Sequence, residues 1–382
     1  MSKAGLYGMD NIGNTCYLNT IIQTLSNIKI FREFLLKDDY IPFLLNKLDK
    51  ESNLNSQIEN ISNSIIYQFY RLFNILWDPE YQSDSIKPIT LKKKLGLKNP
   101  MFKNSLQHDV QEVFTMIIEY MHLEIASKIN TNIENPSPLE NACLNFWAKE
   151  YSPIYNIFHG MYLNTKICSL CKDKTENYEP NLFLSLDIPQ NISFDNLNIS
   201  DFINIKCKYP NIIINDSIKN EMCNLIDEET SIKIIKEYIK EKQQTKSYDL
   251  SECLSEYYKT KIIEDVFCNN CLQTCNFHVS YELIIAPKIL CIQIKRFNSD
   301  LSKINNKITY PQILTLNINN NDENYKLCSI INHIGYDVDH GHYHNYTFSS
   351  DHEKWFKYDD DDVNEITNNS SKNAYLLFYE KI

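Results

Sequence analysis

Only seven glycines are spread over 382 residues, and no stretch approaches the ~18 consecutive apolar residues of a membrane helix. The segment Met1 to Asn11 lacks the apolar core of a secretory signal. The expectation is an intracellular protein, cytoplasmic or nuclear or both, with no membrane partner. Long Lys/Arg blocks are missing too, and the formal charge is −11. That balance argues against nucleic acid as a partner and favours one with a basic surface or tail. No internal repeat is visible.

What is present is a globular composition, 43% hydrophobic and 12% aromatic, in a chain long enough to bury a substantial core. It also holds twelve cysteines. In a small secreted chain these would suggest a disulfide framework. In a large chain with no export signal, free thiols, metal ligation and catalysis are the uses to weigh.

Apolar residues recur at helical spacing from Cys16 through Leu18, Ile21, Ile22, Leu25 and Ile28, with Asn14 and Thr15 placed to cap a helix start. Further helical periodicity covers Ile61 to Leu76 and Gln107 to Ile129, so the first ~155 residues read as mostly helical. Beyond Pro153 the character changes. Phe158 to Ile167, Thr175 to Ile188, Phe277 to Ile285, Leu290 to Phe297, Gly335 to Ser349, Lys354 to Tyr358 and Ala374 to Tyr379 are rich in β-branched and aromatic residues between turn signals. A helical half followed by an antiparallel half predicts an α+β fold. The polar, Asn-rich stretch from about Asn191 to Lys246 reads as an insertion, with one short amphipathic helix at Ile232, Ile235, Tyr238 and Ile239. Asn317 to Asn324 reads as a hairpin loop.

Cys16 opens the first helix. A helix N-terminus with a neighbouring imidazole lowers a thiol's pKa and makes a nucleophile. Burial as a small apolar side chain is the competing explanation. Asn11 lies five positions upstream in a turn with Gly13, where its amide can fold toward the thiol and, with a backbone N–H, stabilise an oxyanion. It could equally be a turn residue only.

The histidine-dense segment "DVDHGHYHNYTF" puts His340, His342 and His344 on one face of a strand, a spacing open to metal ligation as well. His342 follows Gly341, which leaves room for a substrate backbone, and is the candidate base. In "KWFKYDDDDV" Asp359 is the candidate to hold the imidazole through Nδ1–H, with Asp360 in reserve and Asp361 and Asp362 read as a solvated turn. Cys168/Cys171 and Cys268/Cys271 are two CxxC pairs separated by 97 residues. Four thiolates from two such knuckles make a closed structural Zn2+ site, one per chain, with Cys275 as a spare neighbour. No organic cofactor is indicated.

"GMDNIGNTCYLNTIIQTL" resembles the cysteine box of the ubiquitin-specific protease family, papain-like thiol hydrolases that remove ubiquitin from proteins, and "HGHYHNYTF" with "WFKYDDDDV" resembles its histidine box. Collinear similarity continues through "QHDVQEVF", "FCNNC", "LCIQIKRFN" and "AYLLFYEKI". The resemblance implies one catalytic domain over 1–382: a helical thumb to about 155, β fingers over about 156–290 carrying the insertion, and a β-rich palm over about 291–382. It implies Cys16 as nucleophile, His342 as base and acid, Asp359 as its orienter and Asn11 as oxyanion donor. It further implies that Gln107, Asp109 and Glu112 touch ubiquitin's basic tail. Taken as residues alone, they form a helix first turn whose acids face the positive dipole end. Ubiquitin and ubiquitinated proteins are the implied partners of a monomer. A silent ubiquitin-binding scaffold, or an enzyme for another ubiquitin-like modifier, are the alternatives.

Overall fold

The computed structural model describes residues 3–48, 53–83, 85–129, 133–148, 150–189, 245–298, 302–337 and 340–382, with 201, 204, 208, 238 and 242 between them. Most of the 191–246 insertion, including the helix expected around Ile232 to Ile239, lies outside the described residues.

Nine α-helices precede the main strands among the described residues: α1 (Cys16–Asn27), α2 (Lys29–Leu36), α3 (Ile41–Lys47), α4 (Leu54–Asn63), α5 (Ile65–Leu76), α6 (Ile89–Lys98), α7 (Val110–Ile125), α8 (Pro138–Cys143) and α9 (Pro153–Phe158). One more, α10 (Leu250–Tyr258), follows the insertion. The strands are β1 (Gly8–Met9), β2 (Ser85–Ile86), β3 (Gly160–Cys168), β4 (Lys174–Asn181), β5 (Phe183–Asp187), β6 (Tyr248–Asp249), β7 (Lys261–Cys268), β8 (Gln273–Ile285) and β9 (Ile289–Lys295). They continue as β10 (Ile308–Thr309), β11 (Ile313–Ile318), β12 (Asn321–Gly335), β13 (Gly341–Ser349), β14 (Lys354–Asp359), β15 (Asp362–Ile366) and β16 (Ala374–Lys381).

Two sheets organise the second half. An eight-stranded sheet runs β15-β14-β13-β12-β16-β9-β5, with β11 also on β12, and a four-stranded sheet runs β4-β3-β8-β7. All pairings in both are antiparallel except β5 on β9. The 156–290 stretch therefore does not fold as one piece: β5 leaves the small sheet's neighbourhood to become an edge of the large one. The expected strand Thr175 to Ile188 is two strands, divided at Leu182. The expected hairpin at Asn317 to Asn324 closes tightly on Asn319 and Asn320, both at positive φ of 53° and 62°, the two-residue turn that matches strand twist.

Helix α1 departs most from its amphipathic reading, because all twelve of its residues are buried. It is wedged between the other helices and the large sheet, and its polar residues face partners rather than water. Gln23 donates to the Tyr7 carbonyl at 2.8 Å, Thr24 meets Ser329 at 3.1 Å, and Asn27 donates to the Tyr358 hydroxyl at 3.4 Å. Buried polar groups are retained where such bonds replace those lost to water. Helix α7 is pinned to the sheet by Phe114, whose ring lies 5.3 Å from Phe378 and 5.5 Å from Phe183. That packing carries the start of α7 to the open end of β13.

Candidate active site

Cys16 is the first residue of α1 and is 1% exposed. Neither expected cap works as one. Thr15 occupies the N-cap position with no side-chain bond into the helix, and its hydroxyl instead accepts the Ile12 N–H at 3.0 Å. Asn14 is at φ 50° and ties its amide to the Ser105 carbonyl at 2.7 Å. Asn11 organises the turn: its Oδ1 accepts the N–H groups of Gly13 at 3.2 Å and Thr15 at 3.0 Å. The Asn11 amide nitrogen donates to Asp360 Oδ2 at 2.9 Å, so one of its two hydrogens is taken by a carboxylate.

Strand β13 brings His342 against this helix. The imidazole Nε2 lies 2.5 Å from Asp359 Oδ1, and the Cys16 side chain acts on the same ring, helping to raise its pKa. This corrects the expected ring atom. Asp359, at the end of β14, engages Nε2 rather than Nδ1, which leaves Nδ1 for the thiol. The bond to Asp359, then that to Cys16, outweighs loss of hydration and raises the His342 pKa from 6.5 to about 10. The Asp359 carboxyl is held well below the ordinary carboxylate range, first by His342 and further by Lys357, whose ammonium is 2.7 Å from Oδ2. The arrangement is one in which an imidazolium sits between a sulfur and a carboxylate.

The other two histidines of the segment go elsewhere. His340 projects into solvent and pairs with Asp337 at 3.0 Å, and His344 is buried, its pKa pushed down to about 4 by loss of hydration. Among the described residues, the histidines form no group of convergent ligand atoms.

Asp360 is more than a reserve for Asp359. At φ 51°, in the left-handed region that Asp tolerates, its Oδ2 takes the Asn11 amide and its Oδ1 takes the Asn19 amide at 2.8 Å. Asn19 also donates to the carbonyls of Met9 at 3.2 Å and Asp10 at 3.3 Å. Its sequence signal was available, since it lies three residues after Cys16 on the same helix. The Met9 N–H completes the junction on the Asp360 carbonyl at 2.7 Å. Gly8 is required there: a Cβ would stand 2.1 Å from the Asp361 carbonyl oxygen.

The three expected tail contacts differ from one another. Gln107 bridges to the backbone of Gly341, donating to its carbonyl at 2.6 Å and accepting its N–H at 2.8 Å, one residue from His342. Gly341 must lack a side chain, because a Cβ would meet His333 Nε2 at 2.1 Å. Asp109 caps α7 by accepting the Gln111 N–H at 2.7 Å and takes the Tyr375 hydroxyl at 2.6 Å, with burial raising its pKa. Glu112 is exposed beside this junction.

The metal candidates converge at the far end of the small sheet. The sulfurs of Cys168, Cys171, Cys268 and Cys271 all lie within 4.8 Å of one another, with Cys168 to Cys271 at 4.0 Å and Cys171 to Cys268 at 3.7 Å. Four sulfurs at Zn–S bonds of about 2.3 Å stand about 3.8 Å apart on a tetrahedron. The donor set and spacing fit that ion. Each CxxC turns through a left-handed residue, Lys172 at φ 62° and Leu272 at φ 57°. The first is reached by the Lys172 N–H on the Cys168 carbonyl at 3.2 Å, the second by the Leu272 N–H on the Cys268 carbonyl at 2.9 Å.

A family model described as ubiquitin carboxyl-terminal hydrolase matches residues 7–379. Ubiquitin carboxyl-terminal hydrolase 4 of Saccharomyces cerevisiae (strain YJM789) is 23% identical over 427 residues, which cover 98% of this chain and 39% of that protein. Ubiquitin carboxyl-terminal hydrolase 3 of Homo sapiens is 25% identical over 394 residues, covering 97% of this chain and 67% of that protein. The chain thus spans about two fifths of the yeast relative's length. A solved SAGA Ubp8/Sgf11/Sus1/Sgf73 DUB module bound to ubiquitin aldehyde superposes with a TM-score of 0.66 at 20% identity, over 100% of this chain and 70% of that one. That likeness establishes the α+β fold. No helix of the described residues is long and apolar enough to cross a membrane.

Proposed function

The chain belongs to the ubiquitin carboxyl-terminal hydrolase family, and from that premise we propose that it is a cysteine-type deubiquitinase acting at the C-terminal glycine of ubiquitin. The observation that carries the proposal is the placement of His342 between the Cys16 sulfur and Asp359.

Cys16, as the thiolate of an ion pair with His342, attacks the carbonyl carbon of that glycine. The negative charge passes to the carbonyl oxygen, which the second Asn11 amide hydrogen and the free N–H groups at the start of α1 stabilise. The tetrahedral species collapses as the imidazolium gives its proton to the leaving amine, leaving a thioester on Cys16. Neutral His342 then takes a proton from water, the resulting nucleophile cleaves the thioester, and ubiquitin leaves with a free carboxylate. Throughout, Asp359 fixes the ring orientation and supports its positive charge. Asp360 holds the Asn11 amide at the oxyanion side.

For the substrate tail, the acidic side of the cleft is Asp109 and Glu112, suited to basic residues. Gln107 acts first through Gly341, keeping the start of β13 against α7. The small sheet serves as fingers, the large sheet as palm and the helical half as thumb. Cys168, Cys171, Cys268 and Cys271 hold one structural Zn2+, which locks the two finger tips together and takes no part in the chemistry. Ubiquitin and its conjugates are the partners, and the chain acts as a monomer.

The decisive experiment is reaction with ubiquitin carrying an electrophile in place of its terminal carboxylate. Wild type is expected to form a one-to-one adduct, and Cys16→Ala to form none while still binding ubiquitin. A wild type that binds ubiquitin without reacting is a scaffold, and the proposal fails. Faster turnover of another modifier's fluorogenic C-terminal derivative would reassign the substrate.

A further inference from the structure

Among the described residues, Cys275 is the thiol packed against the cluster that the four-ligand reading leaves without a task. Its sulfur lies 3.3 Å from that of Cys168, nearer than the 3.7 Å and 4.0 Å contacts between candidate ligands. The approach follows from strand register. Cys168 stands opposite Phe277 on β8, and Cys275, two residues before Phe277, projects from the same face toward the end of β3. Cys168 is fully buried and Cys275 is 9% exposed. Cys171 and Cys271 are half-buried, and Leu170 and Leu272 at the two tips are exposed.

We propose that Cys275 is a redox partner of Cys168, forming a reversible disulfide that removes one donor from the metal site under a peroxide oxidant. This inference rests on the structural zinc reading. It names a modification site that a four-cysteine centre lacks, because every sulfur of such a centre is already committed.

The step balances with hydrogen peroxide as the two-electron oxidant. The Cys275 sulfur attacks one peroxide oxygen, the O–O bond breaks, and the products are a sulfenic acid and one water. The Cys168 sulfur then attacks the Cys275 sulfur, forming the S–S bond and expelling hydroxide. Hydroxide leaves as a second water with the Cys168 proton, or with a solvent proton where Cys168 is a thiolate. Two sulfurs have each lost one electron. A dithiol reductant reverses the step by exchange. The alternative, closing a disulfide within one CxxC, would remove two donors at once and unwind its knuckle.

The test uses the protein as purified with its zinc, treated with a small molar excess of hydrogen peroxide. Metal release is followed with a chromogenic chelator, and the links are mapped by mass spectrometry of non-reduced peptides. Activity is not the readout, because Cys16 is also a thiol. The expected result is a Cys168–Cys275 link with one zinc released per link, recovered by dithiothreitol and added zinc. Cys275→Ser is expected to carry wild-type zinc and to release it at least about ten-fold more slowly. Links confined to the CxxC pairs, or release from Cys275→Ser at the wild-type rate, overturn the proposal. So does a Cys275→Ser protein that purifies without zinc, which would make Cys275 a ligand. If wild type itself lacks metal, the zinc reading fails separately, and formation or absence of the link still decides this one.

Discussion

In the cleft, Asn11 and Asp360 meet across 349 positions of sequence, and Gln107 reaches Gly341 across 234. The cysteine cluster is made the other way, from two short hairpin tips, each closed by its own backbone bond. Both gather four or more chemically active side chains. One is a junction between the helical half and the large sheet, and its geometry depends on how these pack. The other joins two tips 97 residues apart, each with its own local turn. A junction can fail by small shifts without unfolding, whereas a clasp built on the proposed zinc would fail by losing it.

The largest effect that would break the cleft alone is expected from Asp359→Asn. With the ring's charge support removed, kcat is expected to fall about 10^3-fold or more, with little change in ubiquitin affinity by titration. The same variant should move the alkaline limb of the rate profile to lower pH, because His342 titrates at about 10 only with Asp359 beside it. An unshifted limb would separate the imidazole from Asp359.

Next in size is the oxyanion side. Asn11→Ala and Asp360→Ala should each lower kcat about 10^2-fold, as loss of one oxyanion donor does, and the double variant should add little to either. Additive losses would show that Asp360 does not act through Asn11.

Breaking the clasp should have the reverse signature. Cys271→Ser, or strong chelation, is expected to remove the metal and lower Tm by more than about 5 °C, reflecting a few kcal/mol of metal-linked stability. Turnover of a small C-terminal ester by the surviving folded protein should change less than about three-fold. A loss of turnover equal to that of Asp359→Asn would mean that the two regions are coupled.

The smallest effect is in stability against pH. His342 binds its proton more tightly folded than unfolded, so its contribution is complete below about pH 6.5 and fades as pH rises toward about 10. Buried His344, His333 and His122 have the opposite sign. Their values are driven down to about 4, 3 and 4 by burial, so stability is lost as pH falls below about 6.5. Thermal melts from pH 5 to 10 should therefore decline on both sides, and His344→Gln should flatten only the acid side.

Much of this was legible in residue order because the signals are short-range. The helix expected to begin at Cys16 does begin there, and the strands Leu290 to Phe297 and Ala374 to Tyr379 lie within the observed elements or within two residues of them. The 97-residue separation of the CxxC pairs was no obstacle, since each knuckle forms on its own and the strands β3 and β8 align them. Less legible were the all-round burial of α1, the division at Leu182, and the Asn19 and Tyr375 contacts. Periodicity reports one apolar face; it is silent on a second face buried through hydrogen bonds.

Residue order by itself determined which side chains are offered, a thiol at a helix start, an imidazole after a glycine, acids at a strand end and paired thiols at hairpin tips, because spacing of a few residues sets local conformation. Tertiary structure alone decided the partners. It turned Nε2 rather than Nδ1 toward Asp359, gave the Asn11 amide to Asp360, spent Gln107 on Gly341 and set Cys275 beside Cys168. A hydrogen bond or a sulfur contact is settled within a few tenths of an ångström, and only strand register and the packing of α1 and α7 on the sheet specify positions to that accuracy.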